Sequence, residues 1–149
     1  MNEKLKSFLK EKNKKILFVG IGNVLRSDDG IGVYICKNIK ETSSVKTLIV
    51  EVSIENYIKK INDLNPEILI LVDCVNLNKE PGYSDFFHDD QIKDITTNTH
   101  NISLKRVSEF FTMKVMILGI QPASVSIGEN LTRPVKESAD LIIENINQM

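Results

Sequence analysis

Cysteine is scarce in this 149-residue chain: Cys36 and Cys74 are the only two, and no C-x-x-C pair is present. That density excludes the disulfide framework of a small secreted scaffold, and a reduced, cytoplasmic setting is the expectation. A charge excess is lacking too, because 19 basic residues face 20 acidic ones for a formal net charge of −1. Bulk electrostatics therefore do not point to nucleic acid or to an anionic membrane surface. No segment approaches the ~18 continuous apolar residues that span a bilayer. The lysine-rich opening MNEKLKSFLKEKNKK also lacks the apolar core of a secretion signal, so the chain reads as untargeted. No large apolar stripe stands out, which makes a monomer the default.

What is present is enough for one domain, residues 1–149, since a chain of this length buries roughly 70% of its unfolded surface without staples. Leu5, Phe8 and Leu9 recur among lysines at helical spacing and predict an N-terminal helical extension over residues 1–14. Four apolar runs follow, KILFVG, VKTLIVEV, EILILVD and KVMILGI. Their continuity, without alternation, is the pattern of strands buried on both faces. Helical periodicity falls between and after them, at Ile31 to Ile39, Tyr57 to Leu64, Ile102 to Phe111 and Val135 to Ile146. Strands alternating with helices predict an α/β fold, three layers around a mainly parallel sheet of about five strands. The YSDFF run comes too soon after its predecessor for a helical crossover, so it should pair antiparallel or lie at an edge.

The stretch GIGNVLRSDDG, Gly20 to Gly30, has the look of a phosphate loop and lacks its parts. A dinucleotide fingerprint beginning at Gly20 and Gly22 needs its third glycine at position 25, where Leu25 stands. Asp28 and Asp29 would repel a pyrophosphate at the start of the following helix. No Gly-Lys-Ser/Thr follows, and neither H-E-x-x-H nor G-x-S-x-G occurs. Ser124 and Ser126 have no recognisable base partner, so serine hydrolysis is not indicated.

Two acids in such a turn have a better use. One of them, Asp28, suffices to cap the next helix. The other, Asp29, falls at the carboxyl end of a strand, in the crevice where open α/β sheets place their ligands. Asp73 ends EILILVD after five apolar residues, and His100 stands in a polar loop just before a predicted helix. Each of the three has a plain alternative: a cap, a loop ligand to backbone, a surface imidazole. All three nevertheless follow strands, and parallel topology gathers such loops at one edge of the sheet. Two carboxylates and one imidazole suit a divalent transition metal and leave a coordination position open. Cys74 is read as a small packed residue on the opposite face from Asp73. His88, beside Asp89 and Asp90, is read as a solvated edge. Gly119, Ile120 and Gln121 either line the cleft or simply end a strand.

The motifs GIGNVLRSDDGIG, LVDCV, THNISL and ILGIQP, with the closing TRPVKESADLI segment, occur in that order between Lys15 and about Asn145. Together they resemble the hydrogenase maturation endopeptidases, which process the large subunit of nickel-iron hydrogenases. The LGIQP stretch leans towards the branch serving hydrogen-evolving enzymes. The resemblance implies an α/β/α fold around a five-stranded sheet, with Asp29, Asp73 and His100 at the metal-contacting, catalytic positions. It implies a substrate as well: a hydrogenase large-subunit precursor with nickel already inserted, whose C-terminal extension is cut off, so that the nickel arrives with the substrate. A non-catalytic nickel-binding maturation chaperone would use the same three residues. The chain departs from the pattern at Cys74, where alanine is common, and at Asn98-Thr99, where serine or proline often precedes the histidine.

Overall fold

The computed structural model describes residues 3–11, 14–91 and 104–149. Helix α1 (Glu3–Leu9) leads into strand β1 (Ile16–Ile21), a 3₁₀ turn over Ser27–Gly30 and helix α2 (Ile31–Lys37). Then come β2 (Val45–Glu51), α3 (Ile58–Leu64), β3 (Ile68–Cys74), β4 (Ser84–His88), α4 (Leu104–Ser108), β5 (Lys114–Ile120) and α5 (Arg133–Asn147).

The strands form one sheet in the order β2-β1-β3-β5-β4. All neighbouring pairs are parallel except β4 with β5, which is antiparallel, as the short connection after β3 requires. The apolar runs of β1 and β3 are buried at every position, and β5 is buried from Val115 onward. VKTLIVEV departs from that expectation. It forms the outer strand β2, where only Val45 and Val50 are buried within the strand, because a sheet edge has no further strand and only partial helical cover.

Successive residues of a strand point to opposite faces, and they feed two separate cores. Ile68, Ile70, Val72 and Cys74 join Leu5 of α1, Ile31 and Ile35 of α2, and Val135, Ala139, Ile142 and Ile146 of α5. Leu69, Leu71 and Val75 join Ile61 of α3 and Leu104 and Val107 of α4 on the other side. The arrangement is therefore three-layered. The predicted N-terminal helix packs onto the first face: Leu5 is fully buried, the Phe8 ring meets Phe86 edge-on at 5.1 Å, and Lys4 pairs with Asp85 at 3.1 Å.

Helix α2 lies almost directly on the sheet backbone. A Cβ on Gly32 would fall 2.1 Å from the Val72 carbonyl oxygen and 2.4 Å from that of Ile21. The close helix–strand approach that position 25 does not supply is made seven residues further on, by Gly32. Gly32→Ala is expected to cost about 2–3 kcal/mol through overpacking, read as a lower thermal midpoint. An unchanged midpoint would contradict the tight seating of α2.

The direction in which strands are added to the sheet reverses at β1: β2 is added on one side of β1 and β3 on the other. Such a switch point opens a crevice beyond the carboxyl ends of the two strands, the usual ligand position in open α/β sheets.

Candidate active site

The turn after β1 is shaped by backbone crowding. Gly22 has φ +136°, and a Cβ there would lie 1.8 Å from the carbonyl oxygen of Asp29. Only glycine permits the chain to fold back so closely. Ser27 takes the left-handed φ of 52°, and so does Glu51 at the end of β2, whose carbonyl receives the Gly22 amide at 2.8 Å. Strained backbone of this kind costs of order 1–3 kcal/mol per residue and collects where geometry serves function.

Asp28 and Asp29 emerge from this turn fully buried and with different tasks. The Asp28 carboxylate does not cap α2, as expected from the sequence; neither α2 nor the 3₁₀ turn has a side-chain cap. Its Oδ2 accepts from the amides of Ala123 (2.9 Å) and Ser124 (3.0 Å) and from the Thr132 hydroxyl (2.8 Å). Its Oδ1 accepts from the Thr132 amide at 2.7 Å. The correction has a simple cause: the loop between β5 and α5 offers four donors across the crevice, more than a local cap could. Asp28 thus clamps both ends of that loop and anchors Thr132, the residue before α5.

Asp29 turns the other way, and its Oδ2 accepts from the Asn23 amide at 2.8 Å. Asp73 is fully buried at the end of β3, in register with Gly119 of β5, and its Oδ1 accepts from the Cys74 amide at 2.8 Å. The 3₁₀ turn that carries Asp28 and Asp29 packs against β3. Their convergence is felt at Cys74: burial first, then the charges of Asp73, Asp29 and Asp28, push its thiol well above the ordinary range. Cys74 packs into the core beside α2, as a small residue on the face opposite Asp73. Among the described residues, the buried charged side chains are these three aspartates. The structure therefore places Asp29, in the turn after β1, and Asp73, on β3, at the same carboxyl edge of the sheet beside the β1/β3 switch point; His100 lies outside the described residues.

Other sequence candidates have structural roles. Gln121 is buried, and its Oε1 accepts from the Leu77 amide at 2.6 Å while Nε2 donates to Asn76 Oδ1 at 3.3 Å. It ties the segment after β3 to the end of β5. Ser124 and Ser126 pair through their hydroxyls at 2.6 Å. His88 stands opposite Met116, roughly 10 Å along β5 from the level of Asp73. Its Nδ1 lies 3.2 Å from Asp89 and 3.8 Å from Asp90 in a partly exposed cluster. Thr132 and Asn23 were missed from the sequence. Thr132 directly precedes the Arg-Pro start of α5, and that position is the signal that marks it.

Carboxylates held apart from solvent at a strand-end crevice are donors for a hard or borderline divalent cation. A model of the hydrogenase maturation protease family matches residues 33–149. A Methanocaldococcus jannaschii protein provisionally named a hydrogenase maturation protease is 28% identical, over 89% of this chain and 86% of its own. The hydrogenase 3 maturation protease of Escherichia coli K12 is 25% identical over 85% of each chain. The crystal structure of a [NiFe] hydrogenase maturation protease from Thermococcus kodakarensis superposes with a TM-score of 0.78 at 25% identity, covering 95% of this chain and 97% of that one. With a family model spanning most of its length and this fold beneath it, the chain belongs to the hydrogenase maturation protease family.

Proposed function

We propose that the chain removes the C-terminal extension of a nickel-iron hydrogenase large-subunit precursor after nickel has been inserted, and that Asp29, Asp73 and His100 contact that nickel as substrate. Family membership makes the chain a peptidase acting in hydrogenase maturation; the dependence on nickel and the three residue roles are our reading. The observation that carries it is the burial of Asp29, in the turn after β1, and of Asp73, at the end of β3, at one carboxyl edge of the sheet beside the β1/β3 switch point.

Asp29 is held by the turn after β1 and Asp73 by β3 itself, so their spacing is set by the sheet and by the crowded Gly22 turn. A preorganised pair of this kind recognises a cation at little entropic cost. With the imidazole of His100, the donor set leaves room for groups of the precursor around the metal. Holding the metal would place the scissile peptide against the same edge of the sheet. Asp28, saturated by four donors, would keep the turn in shape and stay out of contact with substrate. The LGIQP segment supports assignment to the branch serving hydrogen-evolving enzymes. Its glutamine positions the loop beside Asp73 and does not itself reach into the site. A reduced cytoplasmic location fits the two buried free thiols, and among the described residues no helix is long and apolar enough to cross a membrane.

The test is to incubate the purified chain with nickel-loaded precursor and weigh the large subunit by mass spectrometry. Loss of a short C-terminal segment is expected. Tight nickel binding by the chain alone, with the precursor left at full length, would support a maturation chaperone instead.

A further inference from the structure

We infer that the two loops beside the site form a preformed apolar dock for the hydrogenase precursor. The inference rests on the reading that such a precursor is the substrate.

The first loop, between β1 and the 3₁₀ turn, exposes Val24 (39%) and Leu25 (56%); the second, between β5 and α5, exposes Ile127 (87%). Val52, 39% exposed, follows the end of β2 next to them, where the Glu51 carbonyl holds the Gly22 amide. All four come from the carboxyl edge of the parallel strands, the edge that carries Asp29 and Asp73. Isolated apolar residues on a surface are ordinary, but several carried on joined loops beside a ligand crevice point to an interaction site.

The loops are also stitched together. Arg26 and Gly128 form a parallel bridge, the Ser27 amide donates to the Gly128 carbonyl at 2.7 Å, and the Gly128 amide donates to the Leu25 carbonyl at 2.9 Å. The Ser27 hydroxyl donates to the Ser126 carbonyl at 2.8 Å. With the Asp28 clamp at Ala123, Ser124 and Thr132, Ile127 is carried at the crown of a loop fixed at both ends. A fixed apolar crown is what a preorganised interface needs, because little entropy is lost when it is covered.

The occupant is assigned to the precursor because dock and carboxylates share one edge. A polypeptide whose metal meets Asp29 and Asp73 comes within reach of these loops, which leave the same edge of the sheet.

The experiment measures equilibrium binding of the nickel-free large-subunit precursor of the same organism by biolayer interferometry, alongside cleavage of the loaded form. Leu25→Asp and Ile127→Asp should each weaken binding, and raise KM, by about tenfold or more, as loss of an interface anchor does. Their kcat should stay within about twofold of wild type. Ile127→Ser should weaken binding with an unchanged thermal midpoint, and Ile127→Leu should retain it. Unchanged affinity in the folded Asp variants would overturn the dock. So would variants that only abolish self-association in sedimentation, since the rim would then face a second copy of the chain. A wild-type chain that binds the precursor but never shortens it would remove the proposed function and leave the dock standing; one that neither binds nor shortens it removes both.

Discussion

Asp28→Ala should lower stability by about 3–5 kcal/mol, the scale of removing one partner from a buried charged network. In a domain of this size that is a fall in thermal midpoint of roughly 10 °C or more. The cause lies in what the substitution leaves behind. Ala123, Ser124 and Thr132 present three amides and one hydroxyl to a single carboxylate in a buried site. Charge-assisted bonds of this type are about twice as strong as neutral ones, and each donor left buried without an acceptor costs about 1–3 kcal/mol. Asp28→Asn should fare little better, because in either orientation the amide nitrogen of asparagine turns donors towards donors. Thr132→Val removes only the hydroxyl and should cost about 1 kcal/mol. Melting curves by circular dichroism would establish the series Asp28→Ala, Asp28→Asn, Thr132→Val in decreasing effect. A helix-capping role for Asp28 predicts a loss of only about 1 kcal/mol, so the size of the change separates the two accounts.

The second large effect is on activity with the fold intact. On the proposed function, Asp29→Asn and Asp73→Asn should each reduce cleavage of nickel-loaded precursor by more than about a hundredfold. Substitutions behind a metal's direct contacts already cost 10–100-fold, and these residues are placed in direct contact. His100→Ala belongs with them. The ratio of activity loss to stability loss, read beside Asp28→Ala, identifies the role. Cleavage within tenfold of wild type in either Asn variant would remove that residue from the metal-contacting set.

Much of the fold was legible because sheet burial writes itself into composition. The runs ILFVG and ILILV cannot be solvated on either face, and they became β1 and β3. VKTLIVEV looked the same and became a half-exposed edge, since apolar composition does not record which strand has a neighbour on only one side. In the candidate site, Asp73 was legible as an acid ending an apolar run, and Asp29 as the second acid of the glycine-containing turn that follows one. The task of Asp28 was not, because its partners lie 95 to 104 positions away in sequence and nothing local signals them. The side chain of Gln121 was hidden in the same way, committed to a segment 44 positions earlier. Failure of the phosphate-loop pattern at Leu25 was informative in both directions. It excluded a pyrophosphate, and the structure shows that the missing close approach is made by Gly32 while Leu25 faces solvent.

The account turns on the claim that the aspartates at the β1/β3 switch point read nickel carried by the precursor. The most direct test presents the purified chain with two preparations of the same large-subunit precursor, nickel-loaded and nickel-free, and follows the mass of each over time. Shortening of the loaded form alone is the predicted result; shortening of both forms at similar rates would contradict it.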